Sequence, residues 1–95
     1  MSKTFAITYH YVPDILERRQ PHRAAHLERI NQRVAEGKLL LAGAFADPVD
    51  GALLVVEAET AGEVFQWIAG DPYTQAGLLT GADVREMNVA ARAAH

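Results

Sequence analysis

The chain predicts an α+β fold of the ferredoxin-like, split βαβ type. Three observations carry that expectation. Segments with period-two alternation or short apolar runs mark four strands. Two segments with helix start and stop signals lie between them. Their order is strand, helix, strand, strand, helix, strand, which is the split βαβ order. In this topology the helices cover one face of a four-stranded antiparallel sheet.

The first strand is Thr4 to Tyr11. Phe5, Ile7, Tyr9 and Tyr11 alternate with Ala6, Thr8 and His10, so one face is bulky and the other small or polar. Val12-Pro13-Asp14 ends it, because proline removes a ladder donor and restricts the residue before it. Asp14 to Gln20 predicts a short helical turn capped by Asp14. The main helix is expected from about Pro21, since proline suits a first helical position. It should run to Glu36, with Gly37 as the left-handed residue after it. Leu27, Ile30 and Val34 form its apolar stripe.

Lys38 to Asp47 is the second predicted strand, and Ala52 to Ala58 its antiparallel partner. Asp50-Gly51 between them is a strong hairpin signal. Straight alternation puts Leu39, Leu41 and Phe45 on one face and Leu40 on the other. Thr60 and Glu63 form a capping-box pattern that opens a helix with Val64, Phe65, Trp67 and Ile68. That helix stops at Gly70-Asp71-Pro72. Tyr73 to Gly81 predicts a connection, Asp83 to Val89 the last strand, and residues 90–95 a frayed tail.

Composition narrows the function. The chain has 95 residues, which fits one domain over 1–95. The apolar fraction of 49% is too high for disorder. No apolar run approaches the roughly 18 residues of a membrane span. The start, MSKTFAITYHYVPD, lacks an export signal, so the expected setting is the cytoplasm. With no cysteine, thiolate chemistry and Cys-based zinc sites are excluded. Ser2 is the only serine and lies at the terminus, so serine acyl transfer is excluded too. Six of the nine Lys and Arg residues fall between Arg18 and Lys38, but Glu17, Glu28 and Glu36 are interleaved with them. That pattern is a solvated helix face and predicts no nucleic-acid partner. No Walker loop or G-x-G-x-x-G supports a nucleotide cofactor.

His26 and Asp71 are the main candidates for chemistry. Histidine titrates near neutral pH and can move protons. A carboxylate beside it can fix its tautomer, as in the serine triad. Both residues fall on helices expected on the same face of the sheet. The plainer alternative is a half-buried helix histidine and an aspartate that caps the turn before Pro72. His22 and His26 have a zinc-compatible H-x-x-x-H spacing, but Arg23 stands where the catalytic glutamate of such motifs belongs, so no metal is expected. Arg23, one turn before His26, can hold an anionic oxygen. Tyr9, Tyr11 and Tyr73 can donate hydrogen bonds to a ligand. Gly43, in mid-strand, suggests a bulge or a close approach by a ligand.

Taken in order, Arg23-Ala24-Ala25-His26-Leu27, Gly37-Lys38-Leu39-Leu40-Leu41-Ala42-Gly43, Asp50-Gly51, and Asp71-Pro72-Tyr73 with Ala76-Gly77 resemble the YCII-related (YciI-like) family. The resemblance spans nearly the whole chain. It implies a ferredoxin-like α+β domain that dimerises into a barrel-like pair of sheets. It also implies that His26 and Asp71 form an acid–base dyad beside a pocket, with Arg23 and Gly43 at matching positions. Ala44 departs from the proline that often follows the A-G pair in relatives, which alters the pocket wall near Phe45.

One branch of the family resembles a dehydrochlorinase acting on a chlorinated hydroxyquinol. Muconolactone isomerase-like proteins share the barrel. The expected function is therefore cofactor-independent proton transfer in a lyase or isomerase step on a small cyclic or enolisable substrate. His26 and Asp71 would be catalytic, and Arg23, Gly43 and Tyr73 substrate-binding. The alternative is a non-catalytic ligand-binding or accessory domain on the same dimeric scaffold. A homodimer is expected on physical grounds as well. Both sheet faces carry apolar side chains, and a chain this short has nothing left to cover the second one.

Overall fold

The computed structural model describes residues 2–93. Its elements are β1 (Lys3–Tyr11), α1 (Ile15–Arg18), a 3₁₀ turn (Gln20–His22), α2 (Arg23–Ala35), β2 (Leu39–Ala44), β3 (Gly51–Ala58), α3 (Ala61–Ala69), α4 (Pro72–Gln75) and β4 (Leu79–Met87). The four strands form one antiparallel sheet in the order β2-β3-β1-β4. This is the ferredoxin-like arrangement, with β1 and β3 central.

The core is the helix-side face of that sheet. Phe5, Ile7, Tyr9 and Tyr11 are all buried on β1. Their neighbours Val56, Leu54 and Ala52 on β3 point the same way, as the register Phe5↔Val56, Ile7↔Leu54 and Tyr9↔Ala52 requires. Val64 and Ile68 of α3 close the layer. Thr60 caps α3 through its hydroxyl, which accepts from the Glu63 N–H. Arg29 ties α2 to α3. It donates to the Trp67 carbonyl at 3.0 Å and lies 5.1 Å from the centre of the Trp67 ring.

Several boundaries differ from the sequence-based expectation. The helix starts at Arg23, and Pro21 sits in the 3₁₀ turn before it. Asp14 precedes α1 but its side chain makes no cap bond; it pairs with Arg18 at 3.6 Å instead. β2 ends at Ala44, since Phe45 to Asp50 forms the loop that contains Pro48. Straight alternation also fails on β2. The register shifts between Leu39 and Leu41, so Leu39 is buried opposite Val56 while Leu41 turns to the open face opposite Val55. An extra residue on one strand reverses the parity beyond it. The stripe on α2 is less buried than its spacing implies. Leu27 and Val34 are exposed, and His26 is the buried residue of that helix.

Two further corrections lie near the end of the chain. Tyr73 to Gly81 is not a plain connection. It contains most of α4, the left-handed Gly77 (φ 71°) and the start of β4. β4 begins at Leu79, four residues before the expected start at Asp83. Of the expected frayed tail, residues 90–93 have no regular secondary structure, and 94–95 lie outside the described residues. Gly37 has φ 74° after α2, as expected. No helix among the described residues is long and apolar enough to cross a membrane.

Gly51 is where β3 meets β1 most tightly. A Cβ there would run into the carbonyl oxygen of Tyr9. Gly51→Ala is therefore expected to lose about 1–3 kcal/mol by forcing the central strands apart. Urea denaturation of the two proteins measures this, and equal midpoints with equal slopes would contradict it.

Candidate functional site

Asp71 sits between α3 and α4 and is 1% exposed. It is there for a local reason first. Its side chain caps α4 by accepting from the Tyr73 N–H at 2.9 Å, and Pro72 follows at the first helical position. The same oxygen, Oδ1, lies 2.8 Å from His26 Nδ1. The other oxygen, Oδ2, accepts from the Tyr9 hydroxyl at 2.9 Å. One carboxylate thus joins α2, α4 and β1. Both readings of the aspartate hold at once, as turn cap and as histidine partner.

His26 is 6% exposed, and its ring lies flat on that of Tyr73, with centroids 3.7 Å apart and planes 5° apart. Tyr11 meets the Tyr73 ring edge-on at 6.1 Å. The ring of His26 is therefore held by a hydrogen bond at one nitrogen and by stacking over its face. An ionised Asp71 can only accept, so Nδ1 carries the proton in that bond. Nε2 has no protein partner among the described residues.

Burial alone would push the Asp71 carboxyl up. The hydrogen bond and charge of His26, the Tyr73 N–H and the Tyr9 hydroxyl outweigh it, and the net value lies below that of an ordinary aspartate. Burial and the neighbouring Asp71 carboxylate push the Tyr9 hydroxyl far up, so it remains a neutral donor. Tyr11 is pushed up to about 12, first by burial and then by Tyr73 and Asp71.

His26, Tyr73 and Tyr11 border a cavity of about 260 Å³ between α2 and the sheet. Its apolar wall includes Leu27, Ile30, Ala42 and Leu54, and its polar side includes Tyr11, Arg19, Arg23, His26 and Tyr73. Four of the five site residues expected from sequence thus line it: His26, Arg23, Gly43 and Tyr73. Asp71 stands behind His26 rather than in the wall. Gly43 does not mark the bulge, which lies at Leu39/Leu41. A Cβ on Gly43 would meet nothing within 4 Å, so protein packing does not require glycine there. His22 does not border the cavity, and among the described residues no group of three potential metal ligands gathers.

Sequence reasoning missed two participants. Tyr9, expected as a donor to a ligand, does not line the cavity and donates to Asp71 instead, a role the sequence did not indicate. Arg19 lines the cavity, as Arg23 does.

The family model of the YCII-related domain matches residues 4–88. The chain belongs to the YCII-related family. A protein of Haemophilus influenzae with no described activity is 32% identical over 83 residues, covering 78% of this chain and 85% of its own. Among solved structures, the 5-chloro-2-hydroxyhydroquinone dehydrochlorinase TftG of Burkholderia phenoliruptrix AC1100, in complex with 2,5-dihydroxybenzoquinone, is similar with a TM-score of 0.80 and 27% identity. That match covers 90% of this chain and 93% of TftG. Rv0793 from Mycobacterium tuberculosis is similar in fold, with a TM-score of 0.57, 16% identity, and coverage of 99% and 100%.

The depressed Asp71 value has a sign for stability. A carboxylate whose folded value is below its unfolded value stabilises the protein above the unfolded value, about pH 4, and loses that contribution as pH falls through the folded value. In Asp71→Asn, the amide oxygen can keep the bonds to His26 and the Tyr73 N–H, and the NH₂ can turn to the Tyr9 hydroxyl, which can accept. The variant removes charge with little loss of geometry. Its stability deficit against the wild type should be greatest near neutral pH and shrink below about pH 4. Urea denaturation across that range checks this, and a deficit independent of pH would contradict it.

Proposed function

We propose that the chain is a cofactor-independent enzyme that moves a proton on a small cyclic or enolisable substrate, in a dehydrochlorinase-like lyase step or an isomerase step. The observation that carries this is the buried His26–Asp71 hydrogen bond, which leaves the second imidazole nitrogen for the cavity. In this reading His26 Nε2 is the general base. Asp71 keeps the ring in the required tautomer and balances the charge His26 gains on accepting the proton. Arg23 and the Tyr73 hydroxyl hold the oxygen on which negative charge develops.

The likeness to TftG supports the lyase form of this reading. Loss of HCl balances without an oxidant or reductant. A proton passes from the substrate to His26, and chloride departs with the electrons of the C–Cl bond. An isomerase step uses the same base, which returns the proton at another carbon. The stacked Tyr73 ring stops His26 from turning between the two transfers.

The reading includes a homodimer joined through the open sheet face. Leu41, Val55 and Ala6 lie side by side on three adjacent strands of that face, and Leu53 neighbours Thr8 in the next row. Leu41 is 55% exposed in the single chain. An apolar surface of this kind is what a second copy would cover. Light scattering should give twice the 10.4 kDa chain mass. Leu41→Asp should move the mass towards that of one chain. A wild-type monomer would contradict this part.

The catalytic part is tested by proton exchange, which can be followed whatever the product is. Cyclic enols and chlorinated hydroxyquinols are incubated in D₂O, with NMR following deuterium at carbon and an electrode following chloride. His26→Gln can keep a bond to Asp71 but has no basic nitrogen. It should lower the enzyme-dependent rate by about 10²–10⁴, the usual contribution of a positioned base. An unchanged rate in a folded variant would overturn the assignment.

A further inference from the structure

Core packing explains the Tyr9 ring but not its hydroxyl. The ring is fully buried on β1, opposite the small Ala52 and edge-on to Tyr11 at 6.4 Å. A phenylalanine would fill the same space. The hydroxyl goes to Asp71 Oδ2 at 2.9 Å, and Tyr9 does not line the cavity. Whatever the hydroxyl does for the chemistry, it does through Asp71.

The two oxygens of that carboxylate are held unequally. Oδ1 lies 2.8 Å from His26 Nδ1 and accepts from the Tyr73 N–H, whereas Oδ2 has the Tyr9 hydroxyl as its donor. Among the described residues, no lysine or arginine pairs with Asp71. Its ion-pair partner is His26, which is charged only when protonated. A His26 that works as a base starts neutral. In that state Asp71 is a buried anion with no paired cation, and hydrogen bonds must carry its whole charge. Without enough of them, the anion would be stabilised by a proton taken up on His26, and an imidazolium cannot accept one from a substrate.

We propose that Tyr9 is a positioning residue of this site: its hydroxyl holds the Asp71 charge while His26 is neutral and so keeps the imidazole able to accept a proton. The proposal rests on the proton-transfer reading of His26 and deepens it. Tyr9 suits the task because it stays a neutral donor. Burial and the Asp71 carboxylate hold its own proton in place. The other titratable or charged groups around the pair are Tyr11 from β1, Arg23 and Arg29 from α2, Arg19 after α1, and Tyr73 from α4. The arginines keep their charge throughout and the tyrosines stay protonated near neutral pH, so the balance is struck between Asp71 and His26.

The test follows the histidine rings by nitrogen-15 NMR against pH in wild type, Tyr9→Phe, Asp71→Asn and the double variant, with circular dichroism to check folding. In Tyr9→Phe, the change of His26 from imidazolium to imidazole should move to higher pH. The exposed His10 should behave as in wild type. In the Asp71→Asn background no charge is left to hold, so adding Tyr9→Phe should move His26 no further. An unmoved His26 in Tyr9→Phe, or an equal move in both backgrounds, would overturn the proposal.

Wild type supplies a readout that needs no variant. The bond from Tyr9 to Asp71 should tighten when His26 loses its proton, so the Tyr9 hydroxyl proton should move downfield as pH rises through that change. A resonance that stays in place would contradict the proposal. Proton exchange in D₂O separates this role from simple packing. On the acid side of the rate profile Tyr9→Phe should be about tenfold slower than wild type, the effect of a charge-assisted hydrogen bond that favours one protonation state. At about pH 9, where imidazoles are neutral, it should be within about threefold of wild type. A loss of equal size at every pH would show packing alone and overturn the proposal. If the NMR result is as expected but exchange does not depend on His26, the role of Tyr9 in the pair stands and the proton-transfer reading falls. If exchange depends on His26 while Tyr9→Phe leaves the ring unmoved, the proton-transfer reading stands without Tyr9.

Discussion

The Asp71 carboxylate is the constraint on which the site depends. It is a buried charge, and a buried charge is tolerated only when paired and hydrogen-bonded. Three groups meet that demand here, one each from β1, α2 and α4. Each therefore fixes a distance between elements that are far apart in the chain. Tyr9 sets the carboxylate height above the sheet, the Tyr73 N–H sets its angle at the start of α4, and His26 brings α2 to it. Oδ1 has two donors, His26 and the Tyr73 N–H, whereas Oδ2 has the Tyr9 hydroxyl, so losing Tyr9 strips one oxygen of its donor and losing either of the others halves the donors at Oδ1.

The arrangement also divides labour across the sheet. The helix-side face holds the core and, at the end near α1 and the start of α2, the cavity. The opposite face holds Leu41, Leu53 and Val55, flanked by the polar pair His10 and Asp83 at 2.7 Å. That second His–Asp pair has the same chemistry as the buried one but a different setting. Its members are 50% and 70% exposed, so water competes for both. Burial, and not residue identity, distinguishes the pair read here as a site from the pair that is a surface contact.

Much of this was legible in the sequence, for identifiable reasons. The alternation Phe5-Ile7-Tyr9-Tyr11 is strict because one face of β1 is core, and it defined that strand to within a residue. Gly37 and the Thr60–Glu63 pattern marked one helix end and one helix start correctly. Periodicity failed where one residue reversed parity, at the Leu39/Leu41 bulge. It also failed where Thr80-Gly81 interrupted the pattern at the start of β4. α4 was missed although Asp71-Pro72 is a cap followed by a first-turn proline, because a four-residue helix leaves no stripe to read. His26 and Asp71 were reached through residue type and family resemblance. Spacing alone could not say that they touch. Arg19 belongs to a charge run that read as a solvated helix face, and residue type alone gave no reason to set it apart.

If Asp71 holds His26 in one tautomer, the basic nitrogen faces the cavity and the site can work as a base. Nitrogen-15 NMR of the histidine rings, at a pH where the imidazoles are neutral, reads that tautomer without any substrate. His26 should carry its proton on Nδ1, with Nε2 bare. In Asp71→Ala that preference should be lost, while the Asn variant keeps it. A wild-type His26 with its proton on Nε2, or one that averages between the two forms as a free imidazole does, would contradict the role given to Asp71.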